Sequence, residues 1–94
     1  MKIELTNSQY RKLVKLVYIG EWIMNSHRKN EKDYIFTDIE QHIYSYFKEF
    51  NCDDILEFDT EYNMYFPTSD LDEQAMDYID EFIEANKTNF IGYN

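Results

Sequence analysis

Apolar residues recur at helical spacing in several stretches of the chain. The densest runs from Tyr10 to Met24 and holds Leu13, Val14, Leu16, Val17, Tyr18, Ile19, Trp22 and Ile23. That stripe is wider than one buried face needs, so residues 7–27 read as a central helix contacted on more than one side. Thr6 and Gln9 stand ahead of it at capping-box spacing, the hydroxyl meeting a free N–H and the amide reaching back to the cap. Gly20 inside this run costs about 1 kcal/mol against Ala. Close approach of a second helix would account for it, with Trp22 largely buried beside the crossing.

Further along, Ile39, Ile43, Tyr46, Phe47 and Phe50 fall at i, i+4, i+7, i+8 and i+11. That is one face of a helix over residues 38–50. Thr37 and Glu40 repeat the capping-box spacing at its start, and Asn51 is a suitable C-terminal stop. Residues 53–66 carry two competing periods. Ile55, Phe58, Tyr62 and Tyr65 suit a helix, whereas Tyr62, Met64 and Phe66 alternate as in a strand. The reading adopted is a helix over 53–61, then an extended NMYFPT that Pro67 terminates. Thr68 and Ser69 are cap candidates for a last helix, residues 70–86, with Leu71, Ala75, Tyr78, Ile79, Phe82 and Ile83 as its apolar face. The fold expected is therefore all-α, one domain of three to four helices. Residues 2–5 and 62–66 leave room for a minor two-stranded patch.

Charge adds the most distinctive feature. SDLDEQAMDYIDEFIEA, residues 69–85, contains seven carboxylates and no basic residue. Asp70, Glu73, Asp77, Asp80, Glu81 and Glu84 fall opposite the apolar stripe. Asp70, Asp72 and Glu73 gain from the positive N-terminal end of the helix dipole. The later acids gain nothing there, and like charges at i, i+4 cost a few tenths of a kcal/mol per pair. Over the whole chain the net charge is −10. Most of the basic residues lie before position 33, and that third alone is net positive. An acidic majority repels phosphate, so direct nucleic-acid binding is not expected. Arg11, Lys12 and Lys15 are placed to offset some of the acidic helix if they lie beside it.

Cys52 is the only cysteine, so no intramolecular disulfide forms. That pattern suits a reducing compartment, and with no signal-like apolar start or membrane-length run the expected location is cytoplasmic. Two segments, LVYIGEWIMNSHR at 16–28 and YFPT at 65–68, resemble a group of small uncharacterised bacterial proteins. The resemblance covers about half the chain and implies no activity.

The candidate chemistry is sparse. His27 and Arg28, beside Trp22 and Ile23, are a possible anion site, but basic side chains satisfying a helix C-terminus explain them better. His42 and Cys52 are a nucleophile and base in residue type only, since no oxyanion device accompanies them. A half-buried thiol and a surface histidine are the simpler reading. Asp59, Glu61, Asn63 and Asp70 mimic calcium-loop spacing, but the sixth position, which needs Gly, is Met64. Glu81 and Glu84 form an ExxE pair of the kind that holds magnesium in helical nucleotide hydrolases. Such a site needs a second acidic pair, for which Asp54 and Glu57 are the candidates.

No cofactor or metal site is implied. The leading reading is a non-catalytic acidic interaction domain. Asp70, Glu73, Asp77, Asp80, Glu81 and Glu84 would meet a basic protein surface, one version being mimicry of nucleic acid as in phage-type inhibitors. The alternatives are a magnesium-dependent nucleotide hydrolase, an orphan structural domain, and a homo-oligomer pairing the basic third with the acidic remainder. A monomer or small dimer is expected.

Overall fold

In a computed structural model, residues 2–25 and 35–86 are described. They form three helices and one hairpin: α1 (Asn7–Asn25), α2 (Ile35–Tyr44), β1 (Leu56–Asp59), β2 (Met64–Pro67) and α3 (Ser69–Ala85). The domain is mostly helical, as expected, with a small antiparallel sheet. No helix of the described residues is long and apolar enough to cross a membrane.

The start of α1 follows the local sequence closely. Gln9 N–H donates to Thr6 Oγ1 at 3.0 Å and Thr6 N–H donates to Gln9 Oε1 at 2.9 Å, a complete capping box. The buried stripe is narrower than the apolar run. Tyr10 and Val14 are buried, with Val17 and Tyr18 packed against the core. On the outer side Leu16 is 70% exposed and Ile23 53% exposed, while Trp22 is only half-buried. Gly20 does not mark a helix crossing. It is exposed, and a Cβ built there meets nothing within 4 Å. With space free and a helical backbone, Gly20→Ala is expected to raise stability by about 1 kcal/mol, read as the denaturation midpoint. Gly20→Leu is expected to be tolerated, and strong destabilisation by it would restore the crossing.

The second helix departs from its expected bounds. It is already under way at Ile35, so Thr37 lies inside it and the Thr37/Glu40 spacing does not cap it. It ends at Tyr44, and residues 45–50 continue in tight turns with i to i+3 bonds such as Phe47 N–H to Tyr44 O at 3.0 Å. The tighter winding turns Phe47 into the core and lays Phe50 on the Tyr10 ring, centroids 4.3 Å apart. Tyr44 is fully buried, whereas Ile39 and Tyr46 are exposed. Asn51 is the stop, at φ 55°. Its N–H donates to Lys48 O and that of Cys52 donates to Phe47 O at 2.9 Å, the paired bonds of a left-handed helix cap.

Residues 53–61 are not a helix. A turn at 53–55 leads into β1, which pairs antiparallel with β2, Phe58 opposite Tyr65 and Leu56 opposite Pro67. The expected partner of the second strand, residues 2–5, is instead an irregular lead-in. Turn chemistry decides this. Asp59 Oδ1 accepts from the N–H groups of Glu61 and Tyr62 at 2.8 and 3.2 Å, and Asn63 takes the left-handed conformation at φ 53°. Both residue types favour such conformations. A proline in a two-stranded hairpin is tolerated at an edge.

The two-stranded sheet is completed by a side chain. Gln41 of α2 donates from Nε2 to Tyr65 O at 2.9 Å and accepts from Tyr65 N–H at Oε1 at 2.7 Å. One amide thus supplies both bonds that a third strand would give. Thr68 plays a similar joining role. It occupies the N-cap of α3 without a side-chain cap bond, its hydroxyl donating to Asp54 O at 2.7 Å and its N–H to Ile55 O at 3.0 Å. The core formed by these elements contains Tyr10, Val14, Tyr44, Phe47, Cys52, Ile55, Leu56 and Leu71.

Candidate functional site

The acidic helix is anchored by one narrow line of side chains. Leu71, Ala75 and Ile79, spaced four apart, are its buried residues. Asp70, Glu73, Asp77, Asp80, Glu81 and Glu84 are all exposed, so the six expected interaction residues share the outward surface of one helix. Asp72 is set apart from them: Tyr18 Oη donates to its carboxylate. Burial, followed by this hydrogen bond, pushes the Tyr18 pKa up to about 12.

The apolar face expected for α3 is only half used. Tyr78, Phe82 and Ile83 are 57%, 56% and 48% exposed. The last helical turn has no buried residue. Large apolar side chains therefore stay exposed on the side of the helix away from the carboxylates, which sequence periodicity does not show. The i, i+4 series 71, 75, 79 was the available signal, since Tyr78 sits at its margin.

The basic residues of α1 divide. Arg11 does not reach α3. It forms a two-pronged ion pair with Asp54, Nη1 to Oδ2 at 2.9 Å and Nη2 to Oδ1 at 3.0 Å, and approaches Asn51 O at 3.4 Å. The Arg11 hydrogen bonds hold the Asp54 carboxyl below the ordinary carboxylate range. That increment is present above pH ~4 and is lost as pH falls through the lowered value. Both side chains are partly exposed, so it belongs with surface pairs worth about 0–1 kcal/mol. Lys15 does lie beside α3, lining a depression with Gln74, Asp77, Tyr78 and Glu81.

The other candidates are not assembled into sites. Cys52 is fully buried, and its thiol faces Phe50 O at 3.4 Å. Burial pushes its pKa up, away from thiolate chemistry. His42 is exposed, edge-on to the Tyr46 ring at 5.5 Å. Asp59, Glu61 and Asn63 form the hairpin turn, with the Asp59 carboxylate spent on backbone N–H groups. Asp54 is held by Arg11 and Glu57 lies on β1, and among the described residues no three His, Cys, Asp or Glu side chains converge for a metal. His27 and Arg28 lie outside the described residues.

The functional feature with most substance is thus an exposed helix that carries carboxylates on its outward side and, flanking or continuing its buried line, large apolar side chains that stay uncovered. Compared with family models, with curated proteins and with solved structures, the chain matches none.

Proposed function

We propose that this chain is a non-catalytic interaction domain that presents α3 to a basic surface on another protein. One observation carries the reading: Asp70, Glu73, Asp77, Asp80, Glu81 and Glu84 share an exposed helix with Tyr78, Phe82 and Ile83. A solubilising charge run needs no large exposed apolar residues on the same helix. A docking surface needs both, because apolar contact supplies affinity while charge supplies orientation and rate. Acids three or four positions apart step about 5 Å along the helix axis, comparable with the closely spaced charges of a nucleic-acid duplex. The finer version is therefore a surface that occupies the phosphate-binding site of a nucleic-acid-handling protein, in the cytoplasm.

The test compares proteins captured from host extract by the wild-type chain and by a chain carrying Glu73→Gln, Asp80→Asn and Glu84→Gln. The wild-type chain is expected to retain basic proteins that elute as salt rises and that duplex DNA displaces. The neutralised chain should retain none of them. Its thermal midpoint should be equal or slightly higher, through relief of i, i+4 repulsion. Equal capture by both chains would sink the acidic-face reading. A large loss of stability in the neutralised chain would show that these carboxylates are paired within the fold.

A further inference from the structure

The outer surface of α1 is apolar where a solvent-facing helix is ordinarily polar. Leu16 and Ile23 are more than half exposed, and Gly20 beside them leaves open space. Between α1 and α3 this surface opens into a groove of about 420 Å³ lined by Lys12, Lys15, Leu16, Ile19 and Tyr78. It adjoins the depression of about 270 Å³ that Lys15 and Tyr78 share with Asp77 and Glu81. The groove and the adjoining depression together thus offer apolar Leu16, Ile19 and Tyr78, a basic wall of Lys12 and Lys15 on α1, and an acidic wall of Asp77 and Glu81 on α3 that borders the depression.

We infer that this groove is a contact between two copies of the chain, related by a two-fold axis running along it. The charge arrangement selects the occupant. A uniformly basic partner would be repelled by Lys12 and Lys15, and a uniformly acidic one by Asp77 and Glu81. A second copy turned about such an axis lays the α1 wall of each chain against the α3 wall of the other, so both pairs of walls are matched at once. The floor residues Leu16, Ile19 and Tyr78 leave water together, which is the non-directional part of the attraction. An isologous contact closes at two chains, and a net charge of −10 per chain opposes further growth. Asp70, Glu73, Asp80 and Glu84 do not line the groove and stay available to a different partner, whereas Asp77, Glu81 and Tyr78 would be covered in the dimer; the contact is argued from the groove alone and does not rest on the proposed function.

Light scattering over a concentration series, with charge-reversed chains, tests this. The wild-type mass should rise toward twice the 11.5 kDa of one chain. Lys12→Glu/Lys15→Glu alone, and Asp77→Lys/Glu81→Lys alone, should each remain at the single-chain mass. Their equimolar mixture should regain the two-chain species, because reversed walls again face opposite charge on both sides. Leu16→Glu should remain single at all concentrations. Leu16 is so exposed that its replacement leaves the core intact, and this variant decides the matter even if a double reversal misfolds. A wild-type chain that stays single throughout overturns the inference. So does a two-chain mass that survives Leu16→Glu, or a mixture of folded reversed chains that fails to pair.

Discussion

Above pH 10 this fold is expected to lose about 3 kcal/mol of stability per pH unit. Tyr10 and Tyr44 are 2% and 0% exposed. Burial raises both hydroxyl pKa values well above the ordinary 10, with smaller contributions from neighbouring acids such as Glu40 beside Tyr44. Each hydroxyl also has a partner, Ile43 O for Tyr10 and Glu40 Oε2 at 3.3 Å for Tyr44. The unfolded chain ionises at pH ~10, whereas the folded chain keeps its protons. The stabilisation is thus fully present below pH ~10 and declines as pH rises toward the folded values. Each such group costs about 1.4 kcal/mol per unit, and Tyr18, more exposed and raised only to about 12, adds a smaller part. Over two units the loss from Tyr10 and Tyr44 approaches ~5 kcal/mol, the lower range of total stability for a small domain. Denaturant titrations between pH 8 and 12 read it directly, and Tyr44→Phe should flatten the slope by roughly half. Stability unchanged to pH 12 would show that these hydroxyls ionise freely in the folded state.

What the chain discloses in advance depends on how local each feature is. The Thr6/Gln9 capping box forms as written because every atom in it lies within four residues. Thr37 and Glu40 have the same spacing and fail, because spacing names two side chains but not the backbone between them. There the helix is already wound at Ile35. Ile55, Phe58 and Tyr62 keep helical spacing by coincidence. The hairpin that holds Phe58 and Tyr62, and that the turn at Ile55 leads into, is determined by Asp59 and Asn63, whose turn preferences outweigh periodicity over so short a segment. Exposure of the α3 carboxylates is legible, since charge seldom survives burial. Exposure of Leu16, Tyr78 and Ile83 is not, because apolar character makes a residue fit for burial without ensuring a neighbour to bury it. Charge asymmetry likewise foretells attraction between the basic and acidic parts but not its pairing: Arg11 goes to Asp54, and Lys15 faces Asp77 and Glu81.

Gln41 is the feature furthest from being readable, and its loss should be costly. Nothing local in Glu40-Gln41-His42 marks a glutamine that will serve a strand twenty-four residues away. Yet β2 has a neighbour on one side only, and the outward N–H and C=O of half-buried Tyr65 both terminate on this amide. Gln41→Leu fills a similar volume but leaves donor and acceptor without their partner. Groups stripped of a partner in this way cost about 1–3 kcal/mol each when buried. Tyr65 keeps some access to water, so the pair should cost about 2–3 kcal/mol. Gln41→Glu separates the two bonds. Its ionised carboxylate still accepts from Tyr65 N–H but turns a negative charge toward Tyr65 O. Only the protonated form can donate to that carbonyl, so the folded state raises the carboxyl pKa above its unfolded ~4.3. Stability that depends on that proton is present below pH ~4.3 and lost as pH rises through the folded value. The deficit of Gln41→Glu relative to wild type should therefore narrow on acidification, while that of Gln41→Leu stays constant. Denaturation curves at pH 3.5 and pH 7 would show this, and a deficit in Gln41→Glu independent of pH would mean that the Tyr65 carbonyl finds its partner elsewhere.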